Sequence, residues 1–129
     1  YWKKEIKRHT NTLSIGGARL TRPEAFKSHF CRAFAEARLG HDDCAFSDYS
    51  AAIQAMPTNG AAYFNRSAIH CRLGRFENAI EDLGVAIERD PSHRAEYYGN
   101  RALLHRKLGN FAEAMNDYEL SEYQRELRA

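Results

Sequence analysis

The chain has 129 residues, 43% of them hydrophobic and 28% charged, with a formal net charge of +2. That is one domain's worth of soluble globular chain, long enough to bury about two-thirds of its unfolded surface. The charge is too small to argue for a nucleic-acid partner, and no apolar run approaches the ~18 residues of a membrane span.

Residues 1–20 read as a basic helix and a linker. Over Tyr1–Thr10, Trp2, Ile6 and His9 share one helical face that Leu13 continues, with Lys3, Lys4, Lys7 and Arg8 on the flank. The segment is expected to cap the remainder of the chain; a disordered basic tail and adhesion to an anionic membrane are its alternatives. Asn11–Leu20 has no helical period and contains Gly16-Gly17, so it is expected to be a linker whose Leu13-Ser14-Ile15 lies extended. Its glycines lack the spacing and the Lys-Ser/Thr of a phosphate loop. No secretory leader is visible, and a chain starting at Tyr1 rather than Met is expected to be part of a longer one.

Thr21-Arg22-Pro23-Glu24 is a capping box that opens a helix. Helices are expected at about Pro23–Leu39, Asp42–Ala55, Gly60–Leu73, Phe76–Arg89, Arg94–Leu108 and Phe111–Leu127. The reason is internal repetition. Arg38-Leu39-Gly40 recurs as Arg72-Leu73-Gly74 and as Lys107-Leu108-Gly109. Around each glycine an arginine (Arg32, Arg66, Arg101), an alanine (Ala45, Ala79, Ala114) and an aspartate (Asp48, Asp82, Asp117) recur in register. Pro57 and Pro91 close the first two copies, and Glu126 replaces the third proline. Glycine ends each first helix, alanine permits close approach, and proline stops each second helix. One such pair cannot bury its own apolar face, so copies must stack. The recurring Arg and Asp, one on each helix of a pair, predict structural ion pairs.

These marks resemble the tetratricopeptide-repeat family, with copies at about 26–57, 60–91 and 94–127. The resemblance implies an all-α superhelix of three helix-turn-helix repeats over residues 21–129, plus the N-terminal capping segment. It departs most in the first copy, where Asp42 stands in place of Phe76 and Phe111.

The resemblance further implies a concave groove lined by the first helices, taking a peptide of a partner protein. The implied groove residues are Lys27, Phe30, Phe34, Arg38, Phe64, Asn65, Arg72, Asn100, Arg106 and Lys107, with Ala61, Ala68, Glu96, Gly99 and Leu103 beside them. The family's clamp for the acidic tails of heat-shock chaperones needs Lys and Asn, then Asn, then Lys and Arg. Here those places hold Phe30, Phe34, Asn65, Glu96 and Asn100, so only Asn65 matches. The expected ligand is instead a peptide with an apolar anchor and some acidic character. Phe30 and Phe34 packing into the core or against the N-terminal segment is the alternative.

The functional reading is a non-enzymatic protein–protein interaction module. Its alternative is a structural array segment whose groove is filled by its own N-terminal segment or a dimer mate. No serine or cysteine nucleophile is tied to an oriented histidine, so no catalytic residue is assigned. His70 and His105 occupy one repeat position and read as packing residues. No cofactor is called, and the histidines and cysteines lack metal-ligand clustering. Cys31, Cys44 and Cys71 read as reduced thiols, which implies an intracellular, cytoplasmic setting. The last helix offers Tyr118, Tyr123 and Leu127 on its surface with no polar cap, so self-association there, or further chain, is expected to cover it.

Overall fold

Gly40, Gly74 and Gly109 adopt φ of 79°, 75° and 82°, the left-handed region where a side chain is strained. A Cβ on any of them would meet nothing within 4 Å, so conformation rather than space demands glycine there. Each turn ends with the same reach-back: His41 N–H to Glu36 O (2.9 Å), Arg75 N–H to His70 O (2.8 Å) and Asn110 N–H to His105 O (2.8 Å). Three helical hairpins result.

The computed structural model describes residues 1–16 and 19–128. The helices among them are α1 (Trp2–Gly16), α2 (Arg22–Arg38), α3 (Asp42–Ala55), α4 (Gly60–Arg72), α5 (Phe76–Arg89), α6 (Arg94–Lys107) and α7 (Phe111–Arg128). A short 3-10 turn at Pro91–His93 leads into α6. No strand occurs among the described residues. The capping box at α2 forms as its sequence predicts: Glu24 N–H donates to the Thr21 hydroxyl, and Thr21 N–H donates to the Glu24 carboxylate.

Packing runs in chain order. The pairs α2/α3, α4/α5 and α6/α7 are hairpins, and α1/α2, α3/α4 and α5/α6 join them into an array. Alanines make the closest approaches: Ala33, Ala35, Ala45, Ala52, Ala62, Ala79, Ala86 and Ala102 are fully buried. Tyr49, Ile69, Leu83 and Tyr97 fill the larger spaces between repeats. Burying a side chain of that size stabilises by about 1.5–3 kcal/mol. The tyrosines need a polar outlet, and the Tyr97 hydroxyl donates to Asp90.

The three Arg–Asp pairs form bidentate bridges across each hairpin. Arg32 donates to Asp48 through Nε and Nη2 at 2.6 Å each. Arg66–Asp82 and Arg101–Asp117 repeat this at 2.8 Å. The aspartates are buried and the guanidiniums are half-buried. The bridges therefore fix how the two helices of each pair lie against each other.

The N-terminal segment departs from its sequence reading. Its helix does not stop at Thr10 but runs to Gly16, so Leu13-Ser14-Ile15 is helical rather than extended. Leu13 stays half-buried on the stripe of Trp2, Ile6 and His9, and the Thr12 hydroxyl donates to Arg8 O at 3.0 Å. Burial against α2 outweighs the weak local propensity of Asn11–Ser14. Of the expected linker, Gly17 and Ala18 lie outside the described residues. Arg32 Nη1 donates to Thr10 (3.2 Å) as Arg66 Nη1 donates to Ser50 (3.3 Å), so α1 sits on α2 as α3 sits on α4.

Candidate functional site

The first helices α2, α4 and α6 bring their matching residues to one face. Phe34, Ala68 and Leu103 occupy the same repeat position, and all three are exposed. Phe34 keeps 43% and Leu103 46% of its surface in solvent, high for side chains of that size inside an array. Recesses connect them. One of about 190 Å³ is lined by Phe34, Ala37, Arg38, Tyr49, Asn65, Ala68, Ile69 and Arg72. The next, about 290 Å³, is lined by Phe64, Ser67, Ala68, Cys71, Leu83, Asn100, Leu103 and Leu104. A third, about 390 Å³, lies among Leu103, Leu104, Arg106 and Lys107. Ala68 is shared by the first two and Leu103 by the last two, so they form one trough. No α1 residue lines these recesses among the described residues.

The predicted groove residues fall into three groups. Phe34, Asn65, Asn100 and Arg106 line the open face, Asn65 in one recess with Tyr49, while Lys27 is exposed on α2 and lines none of these recesses. Phe30 and Phe64 turn inward and are half-buried. Phe30 stacks on Phe26 (5.4 Å) and meets Tyr49 edge-on (5.6 Å), while Phe64 lies 4.9 Å from the Tyr97 ring. The cations Arg38, Arg72 and Lys107 line the edge but are engaged: Arg38 over Trp2 (5.6 Å), Arg72 on Asp42 (2.6 Å) and Ala37 O (3.3 Å), and Lys107 over Phe76 (5.0 Å).

One feature was not legible in the spacing of the repeats. At the α1 end, Tyr1, Trp2, Glu5, Phe30, Cys31 and Phe34 enclose a further recess of about 370 Å³. Trp2 meets Phe34 edge-on at 5.6 Å. The signal was present in Trp2, the one tryptophan, at the head of the α1 stripe.

Burial pushes the Tyr49 phenol up to about 12, and it pushes the Cys71 thiol up as well, against a smaller opposing pull from Lys107. A raised thiol is a poor nucleophile at neutral pH. Burial holds His70 below its ordinary value, with its Nε2 3.5 Å from Asp82 and its ring 5.1 Å from Phe46. It is a packing residue. Among the described residues, no group of three or more His, Cys, Asp or Glu is placed to hold a metal. No helix among them is long and apolar enough to cross a membrane.

The tetratricopeptide-repeat sequence profile matches residues 60–93, and a second profile of the same family matches 95–123. The chain belongs to the tetratricopeptide-repeat family. Solved tetratricopeptide and related structures share its fold. The chain is similar to MamA (TM-score 0.78, 15% identity, 98% of this chain and 80% of that one). It is similar to MamA residues 41-end from Desulfovibrio magneticus RS-1 (TM-score 0.82, 14% identity, 97% and 67%). It is also similar to the second tetratricopeptide domain of Spaghetti bound to an HSP90 peptide (TM-score 0.72, 24% identity, 78% and 93%). None of the curated proteins matches the chain. As a tetratricopeptide array, the protein is a protein–protein interaction module.

Proposed function

We propose that the trough along α2, α4 and α6 binds a peptide segment of a partner protein. The observation that carries this is the exposed apolar line of Phe34, Ala68 and Leu103 running through connected recesses. Asn65 and Asn100 stand one repeat apart beside that line, where their amides can pair with an extended backbone. The recess at Trp2 and Phe34 suits an apolar anchor. Arg106, exposed in the recess at the α6 end, and Lys27, exposed on α2, favour acidic residues in the ligand.

The HSP90 peptide held by the Spaghetti domain is not the ligand we propose. Of the five clamp places this chain keeps only Asn65. Phe30 is turned into the core, and Glu96 is exposed, where it repels a carboxylate.

A display library of short random peptides tests the reading. Binders selected on the wild-type chain are expected to carry an apolar anchor and lose at least about tenfold in affinity on A68R and L103E. Both positions are exposed, so the fold should survive, which circular dichroism checks. Selected binders indifferent to both substitutions would refute the groove.

A further inference from the structure

The recess at the α1 end combines features that the trough recesses lack. Four of its six lining residues are aromatic: Tyr1, Trp2, Phe30 and Phe34. Glu5 is the one charged side chain among them. The rings meet at steep angles, Tyr1 to Trp2 at 73° with centroids 4.7 Å apart, and Trp2 to Phe34 at 67° and 5.6 Å. Rings set this way cannot all turn their edges inward, so the space of about 370 Å³ meets electron-rich faces. A cation already uses one of them. Arg38 lies over Trp2 at 5.6 Å, yet it lines the neighbouring recess and not this one. Glu5 is only loosely held, with Arg8 at 3.9 Å and His9 at 3.5 Å, so its carboxylate can take a closer cation.

Helix α1 sits in the frame of a second helix, with Thr10 in the place of Ser50 and Trp2 in that of Asp42. In that frame α3, α5 and α7 turn a buried alanine and aspartate to the first helix of their hairpin: Ala45 with Asp48, Ala79 with Asp82, Ala114 with Asp117. At those two places α1 carries Glu5 and Arg8. Glutamate is too bulky for the close approach that alanine permits, and Arg8 would repel the arginine that pairs with each aspartate. The recess is therefore not the berth of a first helix from a preceding repeat.

We propose that this recess takes the trimethylammonium group of a methylated lysine. A plain lysine ammonium brings three N–H donors and a guanidinium five, and each needs an acceptor when it leaves water. Glu5 offers one carboxylate and the ring faces offer weak acceptors at best. A trimethylammonium group has no donor to satisfy. Its methyls pack on the rings as an apolar anchor does, while its charge meets the ring faces and Glu5. The inference names the anchor of the proposed peptide and rests on that reading for its source. The recess itself is tested with a probe too small to follow the trough.

Trp2 is the one tryptophan, so its fluorescence reports the recess directly. The probe is a short glycine peptide bearing one trimethyllysine, titrated into the full chain. The fluorescence change is expected to saturate with a Kd of about 1 mM or tighter. The same peptide with plain lysine, or with the neutral carbon analogue of trimethyllysine, should bind at least about tenfold more weakly. E5Q should weaken the cationic probe at least about threefold and leave the neutral analogue unmoved. F34A should weaken the cationic probe about tenfold. Glu5 is half-buried and Phe34 exposed, and an unchanged circular dichroism spectrum verifies the fold of both variants. A neutral analogue that binds as tightly as the cation overturns the proposal and leaves a merely apolar recess. So does affinity indifferent to both substitutions, or no fluorescence change at about 10 mM probe. Choline binding more tightly than the peptide overturns the lysine in favour of a free head group. Library peptides that still lose affinity on A68R and L103E would show that such a failure belongs to the recess and not to the trough.

Discussion

Glu36 provides the sharpest energetic prediction. It stands in the first repeat where His70 and His105 stand in the others, and it keeps 7% of its surface exposed. Burial above all, then its hydrogen bond and like charge with Asp48, raises its carboxyl from 4.5 to about 7, against a smaller pull from Arg32. Asp48 goes the other way. Burial opposes its ionisation, but hydrogen bonds from Arg32, Glu36 and His29 outweigh that and hold it low. Glu36 therefore keeps its proton at mildly acidic pH while Asp48 stays ionised. Asp43 and Cys44 of α3 line the same recess. Because the folded state binds this proton more tightly than the unfolded one, its contribution is complete below about 4.5 and is lost as pH rises through about 7. The full shift corresponds to roughly 3 kcal/mol. Water in the open recess beside Arg32 and Ser47 screens part of it, so about 2 kcal/mol is expected. E36Q keeps the shape and removes the ionisation. Urea unfolding at pH 4, 5, 6, 7 and 8 should show the two proteins nearly equal at pH 4, E36Q ahead by under about 1 kcal/mol at pH 5 and by about 2 kcal/mol at pH 8. Parallel stability profiles would refute the raised Glu36 carboxyl.

The packing sets three further outcomes. Gly60→Ala should destabilise by about 1–3 kcal/mol, although alanine is the better helix former, because its Cβ would lie 2.7 Å from Asp90 Cβ and 3.2 Å from Ala86 O; chemical denaturation measures it. Asp82→Ala should cost about 2 kcal/mol by leaving Arg66 half-buried and unpaired, whereas Glu122→Ala, which breaks the exposed pair with Arg125, should cost under about 0.5 kcal/mol. Removing residues 1–20 should lower Tm by roughly 5 °C or more while the helical signal persists; complete unfolding would show that α1 is required for the array to form.

The helix ends were legible because glycine, proline and a capping box act locally: Gly40, Gly74, Gly109, Thr21 and Glu24 have their effect whatever surrounds them. The Arg–Asp bridges were legible because three equal spacings expose a shared contact. The C-terminal half of α1 was not, since Asn11, Thr12 and Ser14 are weak helix formers and the half-burial of Leu13 on the α1 stripe depends on packing. Phe30 could not be sorted from Phe34 by sequence, because one turn of helix places both near the groove and the choice depends on where Tyr49 lies. The engagement of Arg38 and Arg72 was hidden for a related reason. Their partners, Trp2 and Asp42, lie on helices whose register against α2 and α4 only the packed structure reveals.

Amide chemical-shift mapping with a library-selected peptide bears on the trough without an intermediate step. Binding there predicts shifts that run along α2, α4 and α6 through Phe34, Asn65, Ala68, Asn100 and Leu103. Shifts confined to α3, α5 and α7, with the trough unmoved at saturation, would contradict it.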